Sequence, residues 1–137
     1  MKNSKLMTQR EEDLMEFFWT QENPLTITEM EDILDKDKWN RVTLFRVVKG
    51  LINKGYLVVK GIERNNTQYA RKVTPTITKE EYAALLLSER GIKGNSLGKV
   101  VLAMLGTGKR KKIKQEDGNK FIQELEDIID QIRNQEE

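Results

Sequence analysis

Between residues 38 and 72 the chain carries nine basic residues, Lys38, Arg41, Arg46, Lys49, Lys54, Lys60, Arg64, Arg71 and Lys72, against one acid, Glu63. Such a block does the chemistry of anion binding. A lysine offers a point charge to a phosphate, and an arginine offers a planar fork that fits two phosphate oxygens or the two acceptors on a guanine edge. The block follows an acidic one, since residues 11–37 hold ten acids against Lys36 alone, while residues 78–137 balance at eleven and eleven. The net charge of +2 conceals this segregation. A cationic patch beside an acidic counter-surface directs a polyanion to one face. Other chemistries are poorly served. Histidine is absent, and with it the commonest general base and metal ligand. Cysteine is absent too, which removes disulfides and thiolate metal sites. The carboxylates stand at helix starts and exposed positions, where dipole and solubility account for them. Neither an enzyme nor a metal or other cofactor is expected.

The elements that must position these cations can be read from pattern. Residues 39–55, WNRVTLFRVVKGLINKG, read as a short amphipathic helix. Asn40 is its N-cap, and Gly55 supplies the left-handed closing residue. Leu44, Val47, Val48 and Leu51 fall at i, i+3, i+4 and i+7, one buried stripe. The opposite face carries Val42, Arg46, Lys49 and Asn53, with no acid on it. Gly50 is open to two readings, a close approach by a neighbour or a weak point costing roughly 1 kcal/mol against Ala. Two β-like runs follow, a strand over 56–59 and a returning strand over 67–73. Residues 61–66 are expected to form the tip, turning at Asn65-Asn66.

Upstream, Thr8…Glu11 and Thr26…Glu29 each have the capping-box pattern. They predict a first helix to about Trp19 that buries Leu14, Phe17 and Phe18, and a second to about Leu34 with Met30, Ile33 and Leu34 facing in. Trp19 and Trp39 are expected in the core. Downstream, Thr78…Glu81 starts a helix to about Arg90 with Tyr82, Leu85 and Leu86 on one face. A short helix over 96–105 and a long one over 115–134 follow, separated by a loop with the basic run 109–112, read as solvated. The apolar residues Leu97, Val101, Met104, Phe121, Leu125, Ile128, Ile129 and Ile132 are too many for so small a core. They are expected to bury against a second copy in a two-fold dimer.

The fold expected is therefore mainly α with a small β-hairpin wing. A winged helix-turn-helix DNA-binding domain would occupy residues 1–76, and a C-terminal three-helix dimerisation domain residues 77–137. Hydrophobic residues at 37% and charged residues at 34% fit an ordered chain rather than a disordered one. The first residues lack the apolar core of a signal peptide, and no apolar run reaches the roughly 20 residues of a membrane span. No membrane insertion and a cytoplasmic location are the expectation.

Phe18-Trp19, Asp37-Lys38-Trp39-Asn40, Thr43, Leu51, Lys54-Gly55, Glu80-Glu81-Tyr82 and Asn95-Ser96-Leu97 resemble, in order and spacing, the penicillinase repressor family. The resemblance implies a repressor that reads an operator through its winged helix and dimerises through its C-terminal helices. The genes are often those of β-lactam resistance. It also implies relief by a protease triggered by a membrane sensor. Ala103-Met104 stands where the family has its cleaved Asn-Phe pair, and Asn40-Arg41-Val42-Thr43 where it often has Ser-Pro-Lys-Thr. The cysteine pairs of copper-responsive members are missing.

On this reading the partner is a double-stranded DNA operator bound by a homodimer. Arg41, Thr43 and Arg46 would face base edges, with Arg46 the best candidate for guanine. Val42 or Phe45 would meet a thymine methyl, although Phe45 also suits a core position under the wing. Asn40, Lys49, Lys60 and Arg64 would hold phosphates. The rival reading is a winged-helix protein-interaction module using the acidic first helices, and salt-dependent DNA binding separates the two.

Overall fold

Three threonines decide where helices begin. In the structure, a computed structural model that describes residues 6–65, 68–92, 94–104 and 115–135, Thr8 and Thr26 form complete capping boxes with Glu11 and Glu29. Thr78 does the same with Glu81, its N–H 2.8 Å from the glutamate and its hydroxyl 3.0 Å from the Glu81 N–H. They start α1 (Gln9–Phe18), α2 (Ile27–Ile33) and α4 (Lys79–Glu89). Between them lie α3 (Arg41–Lys54), β1 (Leu57–Asn65) and β2 (Gln68–Pro75), and after them α5 (Asn95–Met104) and α6 (Gln115–Gln135). Among the described residues the only sheet is the antiparallel hairpin β1–β2. Leu25 extends it by one bridge, exchanging backbone bonds of 3.0 and 2.8 Å with Val73. The chain forms two compact units, Met1–Leu87 and Ser88–Glu137.

The first unit is a three-helix core closed by the hairpin. Leu14, Met15 and Phe18 of α1, Met30 of α2, the stripe Leu44, Val47, Val48 and Leu51 of α3, and Leu57 and Val73 of the strands are buried together. Each large aliphatic or aromatic side chain removed from water here contributes about 1.5–3 kcal/mol. Trp39 is buried and lies under the Arg10 guanidinium at 4.3 Å. Trp19 is half-buried and donates its indole N–H to the Ile77 carbonyl at 2.9 Å. Phe17 is only partly buried. Ile33, expected to face in, is 57% exposed. Leu34, the next residue, packs against the core as expected.

The core continues past residue 76. Tyr82 of α4 is 3% exposed, stacks edge-on against Tyr56 with centroids 5.5 Å apart, and accepts a buried hydrogen bond from the Met7 N–H at 2.8 Å. α4 thus starts inside the first unit, whose end at Leu87 lies beyond the expected division at residue 76. Burial, with Glu12 and Glu11 adding to it, pushes the Tyr82 phenol above its ordinary value. The folded state therefore holds that proton more tightly than the unfolded chain does. Its stabilisation is complete below the usual tyrosine range, near pH 10, and is lost as pH rises through the folded value. Tyr82→Phe should leave the Met7 N–H without its acceptor and cost about 1–3 kcal/mol in urea denaturation. It should also abolish that alkaline loss of stability.

One polar contact ties α1 to α3. Glu11 is only 7% exposed, and its carboxylate accepts from the Thr8 N–H and from Lys54 Nζ at 2.7 Å. Lys54 also donates to the Leu6 carbonyl at 3.0 Å. A Cβ on Gly50 would fall 2.8 Å from Glu11 Oε2. Gly50 therefore serves a close approach, and what approaches is this carboxylate.

In the second unit, Gly91 and Gly94 take positive φ values of 81° and 54° in the connection between α4 and α5, a backbone conformation that glycine adopts at no steric cost. The apolar residues of α5 and α6 remain open. Leu97, Met104, Ile122, Ile128, Ile129 and Ile132 are 45–72% exposed, and Val101, Phe121 and Leu125 are half-buried. The basic run 109–112 lies outside the described residues, as do Asn66 and Thr67 of the expected turn.

Candidate nucleic-acid interface

The face of α3 turned away from the core is rigidly framed at both ends. Asn40 Oδ1 accepts from the Thr43 N–H at 2.9 Å, and Gly55 closes the helix at φ 89°. With Leu44, Val47, Val48 and Leu51 held inward, the helical period leaves Val42, Phe45, Arg46, Lys49 and Asn53 on the surface. Val42 is 78% exposed and Phe45 53%. Phe45 is therefore not tucked under the wing, and it lies instead beneath the Arg41 guanidinium at 5.6 Å. Thr43 is half-buried.

A groove of about 920 Å³ runs between this face and the wing. From α3 it is lined by Arg41, Val42, Phe45, Arg46 and Lys49, and from the hairpin by Val59, Tyr69, Arg71 and Val73. Four of the nine cations thus gather along one concavity. Others are committed elsewhere. Lys54 is held by Glu11, and Lys72 lies 3.4 Å from Glu63 and 4.0 Å from Glu29. Of the four on the groove, Arg41 is itself ion-paired with Glu31 of α2. The positive block of the sequence is therefore only partly gathered on the groove, because some of its members offset the acids of α1, α2 and β1.

The hairpin departs from the sequence expectation. Residues 61–65, read as the tip, belong to β1, which pairs with β2 from Leu57↔Pro75 to Asn65↔Gln68. One irregularity makes this long ladder possible. Val59 pairs with Val73 and Gly61 with Lys72, so Lys60 is an extra, exposed residue. Directly opposed residues share a face of the sheet, and faces alternate along each strand. Val59, Val73, Ile62, Arg71, Arg64 and Tyr69 therefore lie on one face, and Gly61, Lys72, Glu63 and Ala70 on the other. The Arg64 guanidinium lies 5.8 Å from the Tyr69 ring, consistent with a shared face. The bulge at Lys60 is what puts Arg64 rather than Glu63 on the groove side of β1.

Arg41, Val42, Phe45, Arg46 and Lys49 line the groove, and Arg64 shares the wing face that bounds it. Lys60 projects from the bulge, and Asn40 uses its carbonyl oxygen as the cap. Arg71 and Tyr69 were not anticipated. Their signal was available, since Tyr69 and Arg71 alternate in step with the core residue Val73. Among the described residues no group of three or more side chains is arranged to hold a metal ion, and no helix is long and apolar enough to cross a membrane. A family model described as penicillinase repressor matches residues 7–131 of the 137. Comparison with curated proteins gives no match.

Proposed function

The chain belongs to the penicillinase repressor family, and on that premise we propose that it is a sequence-specific repressor, a homodimer on a near-palindromic operator of β-lactam-resistance or related genes. The observation that carries the reading is the capped helix α3, whose exposed face sets Arg46 and Lys49 against Arg71 of the wing across one groove. A helix so framed enters a major groove while the wing grips the adjoining backbone. Arg46 would read guanine, and Val42 a thymine methyl. Lys49, Lys60, Arg64 and the amide N–H₂ of Asn40 would hold phosphates. The open apolar faces of α5 and α6 supply the surface for a second copy. Two α3 helices would then lie about one helical turn of DNA apart, roughly 34 Å. The protein would act in the cytoplasm. A sensor-triggered protease would find Ala103 and Met104 exposed on the last turn of α5.

Selection of bound fragments from random duplex DNA tests this directly. The expected result is a two-fold symmetric site with half-sites one helical turn apart. Recovery of no enriched sequence at low ionic strength would falsify the proposal. Arg46→Ala should weaken binding by about 1–3 kcal/mol and relax one position per half-site, read by mobility shift on single-base variants.

A further inference from the structure

Arg41, the first residue of α3, is held from three sides. Its Nη1 donates to Glu31 Oε1 on α2 and lies 3.4 Å from Thr28 Oγ1 of the same helix. Its guanidinium carbon sits 5.6 Å from the centre of the Phe45 ring, four residues along α3. Half of the side chain stays open, at 51% exposure, while Glu31 is 26% exposed. Stability does not explain this arrangement. Ion pairs this open to solvent contribute little to folding. An acid beside a surface meant for a polyanion also weakens the attraction that the surface exists to exert.

We propose that Glu31 is a positioning residue for Arg41, fixing the guanidinium so that its outer edge reads one base of the operator. The inference rests on the DNA-binding reading above. A free arginine at this place would reach any nearby phosphate and so raise affinity for all sequences alike. With Nη1 engaged by Glu31 and the plane resting over Phe45, the side chain presents Nε and Nη2, donors without partners among the described residues, in a set direction. Ordering the side chain before contact removes an entropic cost from the specific complex. The negative charge of Glu31 disfavours the non-specific one. Both effects favour discrimination over raw affinity, and specificity is a difference of affinities.

The test uses the full chain and duplex DNA. A site is selected with the wild type, and binding is then measured on that site, on each single-base variant and on random-sequence duplex. Glu31→Ala should lose about fivefold or more of its discrimination at one position per half-site. Its binding to random duplex should stay equal or become tighter, with a salt slope unchanged or steeper. A merely structural role would lower both kinds of binding together. Glu31→Gln keeps an acceptor for Nη1 without the charge, and should retain most of the discrimination. Arg41→Ala should lose preference at the same position, and adding Glu31→Ala to it should remove nothing more there. If the wild type selects a site and Glu31→Ala discriminates at every position as well as wild type, the inference fails while the repressor reading stands. If the wild type selects no duplex, the repressor reading fails and this inference falls with it.

Discussion

A chain carrying Ile128→Asp and Ile132→Asp should sediment as a monomer and bind a two-half-site duplex about 10²–10⁴-fold more weakly than wild type. The two isoleucines lie one turn apart on α6 and are 48% and 53% exposed. Ile129 beside them is 45% exposed, and Leu97 and Met104 of α5 are 46% and 72% exposed. So much open aliphatic surface on two helices is what the proposed dimer would cover. A second copy is the simplest partner, because a two-fold axis lets one stripe cover its own equivalent. Two carboxylates in that seam would have to be desolvated with no partner for either. The loss on DNA follows without any change to α3. A linked second half-site binds at high effective concentration, and a monomer forfeits that gain. Binding to an isolated half-site should therefore match wild type, and the first unit should unfold at the same urea concentration. A variant that remains dimeric, or a monomer that holds the full site as tightly as wild type, would defeat the proposed assembly.

How much of this was legible beforehand depended on how local the deciding contact is. The caps at Thr8, Thr26, Asn40, Gly55 and Thr78 each satisfy a backbone group within four residues, so the sequence around them is sufficient. The stripe Leu44, Val47, Val48, Leu51 is likewise a property of one helix, and all four are buried. What was missed depends on a partner distant in sequence. Glu11 is buried because Lys54 and Gly50 stand opposite it across α1 and α3. Tyr82 belongs to the first unit because Met7 and Tyr56 meet it there. Arg41 is tied to an acid ten residues upstream on another helix. Its charge was visible in the chain, and its commitment was not.

Inserting one alanine between Lys72 and Val73 should weaken DNA binding about as much as the double change Arg64→Ala, Arg71→Ala, whereas deleting Lys60 should leave it within a few-fold of wild type. The contrast follows from the ladder. Val59↔Val73 and Gly61↔Lys72 are consecutive pairs with Lys60 looped out between them. Deleting Lys60 keeps both pairs, so Ile62 and Arg64 stay on the face of Val59. The only losses are the local twist of the bulge and one cation, and Lys60→Ala should reproduce the second of these with a salt slope lower by about one. An inserted residue in β2 gives Lys60 a partner and makes the ladder regular. Everything outward of it then turns over, because the side-chain period along a strand is two. Arg64 and Arg71 leave the groove, and Glu63 and Lys72, neighbours on the opposite face and 3.4 Å apart, take their side. Two cations leave and one arrives already engaged by Glu63, which should lower the salt slope by about one to two. The Glu63 carboxylate that faces the backbone in their stead brings Lys72 with it and is largely offset, so the inserted chain should resemble the double alanine variant. The buried inner end, Leu57 and Val73, keeps its partners, so the folded unit survives and the comparison reads recognition rather than unfolding. Equal binding by the inserted and wild-type chains would show that the wing face plays no part in holding the duplex.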